Sequence, residues 1–470
     1  MNILFLCHRI PYPPNKGDKI RSFHEIKHLA REHSLYLAFL VDDERDLEHV
    51  AGLKDYCIDC RYDVINPQWQ KIKSLPYLMT RTPLSVPYFY SARLQGEIDR
   101  LFDDVAFDAV FCFSSPMAEY VFKSTAFEKV QLQRSPVRSA HSSAVSVQND
   151  RTNRVIERGK RSNEGSDRPL LIMDFVDVDS DKWRMYAGFS GFPHGAVYRR
   201  EWRRLEEYEK RVGEAFDWSL FVSDKEVELF RTFCPQARTM AIPNGVDVDY
   251  FAAVQGFGTN ISNERSDRTI RTESANKRSD RTVLFMGAMD YYPNEDAVTH
   301  FADDIWPLVR KALPEARFVI AGSKPGPRVT ALAGRGENID VTGFVPDMRP
   351  YLAEAGVFVA PFRIARGIQN KVLEAMAAGV PVVARPEAVQ GVSGHNGSIR
   401  VESEPASFAR AVVECLREGE VRNTMIAEAR DFVATHHDWG RNLRLLDGVL
   451  GEDERLQHEG TKTRRHKETL

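Results

Sequence analysis

The sequence predicts an α/β protein with two doubly wound, Rossmann-like domains. The chain has 470 residues, which is too many for one hydrophobic core. Short apolar runs alternate with helical patterns, as in parallel sheets that helices cover on both faces. This alternation occurs once in each half of the chain, so each half is predicted to form its own sheet.

In the first half, four apolar runs are predicted to be buried strands: NILFLCH, SLYLAFLVDD, FDAVFCFSSP and PLLIMDFVDV. A turn rich in Pro, Asn and Gly follows the first run, and a helical pattern with Phe23, Ile26 and Leu29 follows the turn. The segment FVSDKEVELFRTF adds a strand and a helix that close this half.

In the second half, five shorter runs are predicted to be strands: RTVLFMGAM, ARFVIAGS, NIDVTGF, GVFVAPF and GVPVVARP. Helical segments such as NEDAVTHFADDIWPLVRKAL and MRPYLAEA separate several of them. Two polar stretches rich in Arg, Ser and Asn interrupt the pattern and share the word SDR, which indicates low-complexity inserts.

The domain boundaries follow from these patterns. We predict a first domain over 1–240 with an insert at 135–168, an interdomain segment at 241–254, an insert at 255–281, a second domain over 282–434, a C-terminal helix at 435–450 able to pack back on the first domain, and a disordered tail at 451–470.

Composition excludes several classes of function. The net charge of −3 gives no field that would attract nucleic acid. No apolar run reaches the roughly 18 residues that a membrane span requires, so no membrane-spanning helix is expected. The six cysteines are scattered and form no disulfide pattern, which fits a reduced, cytoplasmic setting.

The stretch ARGIQNKVLEAMAAGVPVVA carries the clearest candidate site. It follows a predicted strand, and its helix is expected to begin near Gln369 or Asn370. A helix N-terminus attracts anions, and ligands of open α/β sheets sit beyond the carboxyl ends of strands. Arg363, Arg366 and Lys371 place three cations there.

Two further residues refine this interpretation. Gly367 permits close approach of a diphosphate to the backbone, and Glu374 lies one turn into the helix, where a carboxylate accepts hydrogen bonds from vicinal hydroxyls. The alternative is that the arginines are solvated loop charges and Glu374 is a surface residue. The spacing alone leaves both interpretations open.

At this point the sequence resembles a known family. NKVLEAMAAGVPVVA resembles the donor-site signature of retaining, GT-B-fold glycosyltransferases of the family-four type, and PNGVDVDYF, VLFMGAMDYYPNEDAV and VTGFVPDMRPYLAEAGVFVAPF agree in order. CHRIPYPPNKGDKIRSFHEIKHLA and FVDVDSDKWRMYA further resemble the sugar transferases of PEP-CTERM, exosortase and exopolysaccharide systems. The resemblance covers nearly all of the chain except the inserts and the tail.

The resemblance implies two domains facing each other across a cleft. It implies that a nucleoside-diphosphate sugar binds the second domain, that a glycan or lipid-linked acceptor binds the first, and that transfer retains configuration without a metal or a cofactor. An acceptor at the inner membrane face makes peripheral contact with that membrane possible, with the protein otherwise cytoplasmic.

The family motif has two glutamates eight positions apart. Glu374 matches the second, which implies a ribose contact, whereas the first falls at Arg366. Gly287 matches the glycine of the nucleotide-domain opening, but Ala288 follows it without the usual basic residue. We therefore expect Arg363, Arg366 and Lys371 to supply the cations, with Arg366 in a catalytic role.

On the first domain, the resemblance implies a Gly-rich turn near the diphosphate after the first strand, so Gly17 is an expected donor-binding, close-approach residue. Asp18 is a candidate catalytic or acceptor-binding residue, or alternatively a helix N-cap. Lys19 and Arg21 are candidate phosphate or acceptor contacts, and Ser114 ends another strand where it would line the cleft.

Asp174 and Asp177 end a further strand and are candidate acceptor contacts. Asp177-Val-Asp179 is a DxD, but the loop lacks the Gly and Glu that a calcium loop requires, so no metal is expected. The charged segment 198–216 is either a helix that touches anionic lipid or, as its spacing favours, one that packs Trp202, Leu205, Tyr208 and Val212 inward.

Two other functions stay open at the sequence level. A nucleotide-sugar epimerase has the same fold and would act without an acceptor. A non-catalytic scaffold of the polysaccharide machinery would be consistent with Arg366 in place of the motif glutamate.

Overall fold

The structure is a computed structural model that describes residues 1–14, 17–125, 168–253, 259–260, 271–272, 281–365, 368–392, 394–395, 397–417 and 419–451. Nearly all of the predicted insert at 135–168, most of the one at 255–281 and the tail from 452 onwards therefore lie outside the described residues. Arg366 and Gly367 of the predicted donor site also lie outside them.

The chain divides into two compact units. The first contains Met1–Phe175, Asp179–Ser219 and Phe233–Arg238, and the second contains Val176–Val178, Leu220–Thr232 and Thr239–Leu470. The segment Leu220–Thr232 thus belongs to the second unit, although the sequence pattern placed it in the first domain.

The first sheet has seven strands in the order β3-β2-β1-β4-β5-β6-β7. Their bounds are β1 Asn2–Cys7, β2 Ser34–Val41, β3 Asp59–Val64, β4 Ala109–Phe113, β5 Leu170–Val176, β6 Trp218–Phe221 and β7 Thr239–Ala241. The pairs that join β3, β2, β1, β4 and β5 are parallel. β4 is buried along its whole length, as the continuous apolar run AVFCF predicts for a sheet covered on both faces.

In the described part of this half, eight α-helices cover or connect these strands. They are α1 Gly17–Leu29, α2 Pro67–Ser74, α3 Ser85–Phe89, α4 Ala92–Asp104, α5 Ala118–Phe122, α6 Asp179–Phe189, α7 His194–Ala215 and α8 Asp224–Phe233. Short 3-10 helices span Glu44–Leu53, Leu75–Met79 and Ser115–Met117. In α7, Leu205, Tyr208 and Val212 are buried, which confirms inward packing of these three residues in the predicted segment 198–216.

The second sheet has six strands in the order β12-β11-β10-β13-β14-β15. Their bounds are β10 Thr282–Met286, β11 Arg317–Ala321, β12 Ile339–Gly343, β13 Val357–Ala360, β14 Val382–Ala384 and β15 Arg400–Val401. Every neighbouring pair is parallel. The short strands β8 Thr259–Asn260 and β9 Arg271–Thr272 pair antiparallel outside this sheet, within the predicted insert.

The helices of this half are α9 Val248–Ala252, α10 Tyr292–His300, α11 Trp306–Ala312, α12 Pro327–Ala333, α13 Arg349–Glu354, α14 Asn370–Ala377, α15 Pro405–Leu416, α16 Glu420–His436 and α17 Trp439–Val449. A π-helical turn at Phe301–Ile305 joins α10 to α11, and a 3-10 helix spans Pro386–Val389. Helix α17 belongs to the second unit, and its packing on the first domain stays a prediction.

The strand order of each sheet reverses direction next to its first strand. In the first sheet this happens between β1 and β4, and in the second sheet between β10 and β13. Ligands of doubly wound sheets bind outside the carboxyl ends of the strands at such a switch point. The loops after these four strands are therefore where the fold places a site.

Candidate functional site

In the second unit, two loops flank the switch point. One follows β10 and begins at Gly287, and the other follows β13 and leads into α14, which begins at Asn370 as predicted. Gln369 occupies the N-cap position of α14 without a side-chain cap to the helix. The first N–H groups of an α-helix point outward from its N-terminus, a geometry that favours an anion there.

Gly287 lies where two loops and a side chain meet. A Cβ added there would come within 2.8 Å of Asn294 Nδ2 and 2.9 Å of Lys371 Nζ. Gly322, after β11, has a φ of +155°, and its added Cβ would lie 1.7 Å from the Gly287 carbonyl oxygen. Only glycine fits this close approach, which brings the ends of β10 and β11 together.

Lys371 lies in this crowded corner. Its Nζ donates to Asn294 Oδ1 at 2.7 Å, and Asn294 Nδ2 in turn donates to the Ala288 carbonyl at 2.7 Å. The ammonium also lies 4.9 Å from the ring centre of Phe362 and 5.4 Å from that of Phe285. Burial leaves the Lys371 ammonium poorly solvated, which lowers its pKa to about 8. An incoming anion would stabilise the charge of this ammonium.

Glu374 follows Lys371 on the same helix and is half-buried. Burial raises the pKa of its carboxyl to about 7, and the charge of Lys371 opposes part of that rise. A carboxyl with such a pKa changes its charge near neutrality, as groups in ligand sites often do. The sequence prediction thus places Lys371 and Glu374 correctly on one helix, while their ligand roles stay predictions.

Arg363 differs from expectation. Its Nε donates to Asp296 Oδ2 at 3.0 Å and its Nη2 donates to the other carboxylate oxygen of Asp296. The hydrogen bond and charge of Asp296 raise the pKa of the arginine. Arg363 is therefore held by a carboxylate of α10, so it brings no uncompensated positive charge to the site.

The interdomain segment contacts the same helix. Asn244 Nδ2 donates to Asn370 Oδ1 at 2.9 Å, which ties the segment 241–254 to the start of α14. The Asn244 carbonyl lies 2.9 Å from His437 Nδ1. A Cβ at Gly245 would lie 2.6 Å from Trp439 N, so the start of α17 packs directly on this turn.

Tyr250 of α9 extends the surroundings of Glu374. Burial, followed by the negative charges of Asp347 and Glu374 among others, raises the pKa of its phenol. Arg349 stacks over the Tyr250 ring at 4.1 Å and is paired with Asp347 at 2.7 Å. Tyr250, Arg349 and Asp347 thus form a cluster of polar and aromatic side chains that the sequence patterns did not indicate.

In the first unit, the loop after β1 carries a compact charged network at the switch point. Asp18 lies 3.4 Å from His8 Nε2 and accepts from Arg9 Nη1 at 2.8 Å, while Arg9 Nε donates to Asp42 at 2.8 Å. Burial alone would raise the pKa of Asp18, but the hydrogen bonds and charges of His8 and Arg9 hold it well below its usual range.

Asp18 is consequently an ionised group held toward the end of β1. It is the second residue of α1, and its carboxylate faces His8 and Arg9. Asp18 lies within the first turn of α1, which begins at Gly17, and its other carboxylate oxygen accepts from the Lys19 N–H at 3.0 Å. The His8 ring stacks on Phe113 at 5.9 Å and meets Phe89 edge-on at 5.1 Å.

Asp174 and Arg21 are not accessible to a ligand in this structure. Both are fully buried, and Arg21 Nε donates to Asp174 Oδ2 at 2.5 Å and lies 3.2 Å from Glu25 Oε1. Burial and the charge of Asp174 raise the pKa of Glu25, which favours a neutral carboxyl beside the ion pair. The burial of Asp174 contradicts the expectation that it contacts an acceptor.

The remaining candidates predicted on the first domain differ in burial and in pairing. Lys19 is buried and pairs with Asp46 at 2.7 Å, so it is not a free phosphate contact. Ser114 is half-buried at the end of β4 with a φ of 76°, and its N–H donates to the Asp174 carbonyl at 2.8 Å. Asp177, which belongs to the second unit, is half-buried in the loop after β5.

The two other acidic residues of the segment DVDSD are engaged locally. Asp179 accepts from Lys182 at 2.8 Å and Asp181 from Arg184 at 2.5 Å, each three residues further along α6. Across the described ranges, no group of three His, Cys, Asp or Glu side chains is arranged to hold a metal ion.

Residues 280–418 match the family model described as glycosyl transferases group 1. The match lies within the second unit and spans less than half of the chain. No curated protein sequence matches the chain.

Solved structures match over nearly the whole chain. Sucrose-phosphate synthase from Thermosynechococcus elongatus has a TM-score of 0.62 and 14% identity, covering 97% of this chain and 100% of its own. HepE from Anabaena in complex with UDP-glucose has a TM-score of 0.59 and 12% identity, with 96% and 99% covered. WaaG, a glycosyltransferase involved in lipopolysaccharide biosynthesis, has a TM-score of 0.55 and 14% identity, covering 95% of this chain and 98% of its own.

The fold is GT-B. Within this GT-B fold, Gly287, Lys371 and Glu374 gather at the switch point of the second sheet. Sequence reasoning missed Asn294 and Gly322, which complete that corner. The sequence signals that could have indicated them are that Asn294 follows YYP and that Gly322 follows a buried strand. Neither signal shows which distant group the residue contacts.

Proposed function

We propose that the chain is a retaining glycosyltransferase that moves a sugar from a nucleoside-diphosphate sugar to a glycan or lipid-linked acceptor in exopolysaccharide biosynthesis. The observation that carries the proposal is the pair Lys371 and Glu374, one turn apart at the mouth of α14 and beside the Gly287 turn. The match of residues 280–418 to group 1 glycosyl transferases supports it.

The donor would occupy the loops of the second unit. The N-terminus of α14 and the Lys371 ammonium would face the diphosphate, and the narrow turn at Gly287 would allow close backbone approach. The ionised Glu374 carboxylate would accept hydrogen bonds from the two ribose hydroxyls. Gln369 and Asn370 at the helix start are proposed donor contacts, as is Gly367.

In the reaction, an acceptor hydroxyl oxygen forms a bond to the anomeric carbon. The bond between that carbon and the diphosphate oxygen breaks, and the hydroxyl proton passes to the departing phosphate or to solvent. The new bond lies on the face of the sugar from which the diphosphate leaves. Lys371, Arg366 and the helix N-terminus stabilise the charge on the diphosphate, which is why we propose metal-independent transfer.

The first unit would supply the acceptor contacts. Asp18 is proposed to accept a hydrogen bond from the acceptor hydroxyl, and its ionised state suits that role because His8 and Arg9 stabilise the charge. Ser114 of the first unit stays a candidate acceptor contact, as does Asp177 of the second unit.

The decisive experiment is calorimetric titration of the full chain with UDP, GDP, ADP and dTDP. We expect one nucleotide to bind, and Glu374→Ala to weaken it about 10- to 100-fold because hydrogen bonds to a charged group are lost. Glu228→Ala is the matched control, since Glu228 is an exposed helical glutamate of the same unit. Binding that is equally strong in Glu374→Ala would contradict the proposed site.

Product analysis separates the alternatives. A transferase releases nucleoside diphosphate and lengthens an acceptor, with the anomeric configuration of the donor kept in the product. An epimerase converts the nucleotide sugar without any acceptor. No binding of any nucleotide by the folded protein would favour a non-catalytic scaffold.

A further inference from the structure

An apolar face of the first unit points outward on α2 and the 3-10 helix that follows it. Four large apolar side chains are exposed there: Trp69 (64%), Ile72 (55%), Leu75 (57%) and Met79 (93%). The polar Gln70 and Ser74 on the same segment are buried instead. This is the reverse of the usual arrangement of a surface helix, which buries its apolar stripe.

The four side chains are spaced by three, three and four residues, so they follow one side of consecutive helical turns. We name Trp69, Ile72, Leu75 and Met79 the outward stripe. Isolated exposed apolar residues are common, but a contiguous set marks an interaction surface.

The outward stripe is firmly held. Arg200 of α7 donates to the carbonyls of Tyr77 at 2.5 Å and Thr80 at 2.7 Å, and to that of Leu78 at 2.9 Å. Next to it, Glu201 accepts from the Leu84 N–H at 2.6 Å. The segment is thus anchored through its backbone, which leaves its apolar side chains free to meet a partner.

All charged residues of the chain segment that carries the stripe are basic. No Asp or Glu occurs between residues 64 and 96, whereas that stretch contains Lys71, Lys73, Arg81 and Arg93. Lys71 and Arg81 are exposed beside the stripe, and Lys73 donates to the Tyr90 carbonyl at 2.7 Å. An apolar stripe flanked by exposed cations complements a surface that is apolar inside and negatively charged outside.

We propose that the outward stripe docks this protein on an anionic lipid bilayer surface. Trp69 lies at the headgroup level, Ile72, Leu75 and Met79 enter the acyl boundary, and Lys71 and Arg81 pair with anionic headgroups. The surface differs from the segment 198–216, whose apolar residues Leu205, Tyr208 and Val212 are used to pack the first unit. The proposal does not depend on sugar transfer.

Vesicle sedimentation of the full chain tests this directly. We expect the protein to sediment with vesicles of phosphatidylcholine and phosphatidylglycerol at 7:3, to bind pure phosphatidylcholine vesicles weakly, and to be released by added salt. Trp69→Ser/Met79→Ser should lower the partition coefficient at least tenfold. Lys71→Glu/Arg81→Glu should lower it on the anionic vesicles only.

The matched control is Val421→Ser/Phe344→Ser, which removes two apolar side chains of similar exposure, 73% and 70%, from the second unit. It should bind vesicles as the wild type does. Calorimetric melting confirms that every variant is folded. Equal binding by Trp69→Ser/Met79→Ser overturns the proposal. So does self-association of the wild type that this variant abolishes, because the stripe would then join two copies of the chain.

Discussion

At the scale of single residues, the candidate donor site is defined by two ionisable groups whose pKa values approach each other. Burial raises the pKa of Glu374 to about 7 and lowers that of Lys371 to about 8. Each group is charged in the pH range between these values, and there the site presents both a cation for a diphosphate and a carboxylate for ribose hydroxyls.

The sign of the pH dependence follows from these two pKa values. Glu374 accepts hydrogen bonds from hydroxyls only when ionised, so nucleotide affinity should rise as the pH increases through about 7. Lys371 attracts a diphosphate only when protonated, so affinity should fall as the pH increases through about 8. Calorimetric titration at pH 6 to 9 should therefore give a maximum between these values.

The Glu374→Gln variant isolates the carboxylate. Its affinity should be lower and should no longer gain from deprotonation at position 374. The decline with rising pH should persist but begin at a lower pH, because loss of the Glu374 charge lowers the pKa of Lys371 further. Parallel profiles for wild type and Glu374→Gln would show that this carboxyl does not act in binding.

Other single residues show how pairing limits a prediction made from sequence. Arg363, Lys19 and Arg21 were expected at phosphates or acceptors, but each contacts a carboxylate distant in the chain. Arg21 and Asp174 are 153 positions apart and form a buried pair. Removing one partner of such a buried pair leaves an uncompensated charge, so we expect Asp174→Asn to destabilise the fold.

At the scale of elements, the site depends on how closely the loops after β10 and β11 approach each other. Gly287 and Gly322 permit that approach, and Asn294 fixes the Lys371 ammonium between them. Strands β10 and β11 were predictable because each is a short apolar run. The edge strand β3, with the sequence DCRYDV, was not predicted because it is largely polar and none of its residues is fully buried.

Gly287→Ala tests the Gly287 turn. Its new methyl group would lie 2.8 Å from Asn294 Nδ2 and 2.9 Å from Lys371 Nζ, so both flexible side chains must move. We expect nucleotide affinity to fall about tenfold or more in calorimetry, with a small change in melting temperature. Gly96→Ala is the control, since no atom lies within 4 Å of its added Cβ. An unchanged affinity of Gly287→Ala would exclude a ligand at this turn.

At the scale of the whole molecule, two parallel sheets repeat one strand order, which places a switch point in each unit. Apart from Gly17, the donor-site candidates lie in the second unit, and the outward stripe lies in the first. Among the described residues, no helix is both long and apolar enough to cross a bilayer.

Hydrogen exchange should distinguish the two units. A nucleotide at 100 times its Kd stabilises the folded state that binds it by about 2.7 kcal/mol. Amide protons that exchange only when that unit unfolds should therefore exchange about 100-fold more slowly. We expect this slowing in β10 and β13 but not in β1 and β2, measured by mass spectrometry with and without nucleotide. Equal slowing in both pairs of strands would show that the two units unfold together.

The sequence by itself determined the two-sheet α/β fold, the start of α14 near Asn370, and the positions of Lys371 and Glu374 on it. These are local properties, since apolar runs, helix-start signals and spacing within one turn involve neighbouring residues. The resemblance in NKVLEAMAAGVPVVA extended them to a predicted donor.

Only the tertiary structure decided which charged side chains are already paired. Lys371 contacts an asparagine 77 positions earlier, and Asn370 contacts one 126 positions earlier. Arg363 is neutralised by a carboxylate 67 positions away. Burial and pairing set the charge that a group presents, and both depend on chain segments that only folding brings together.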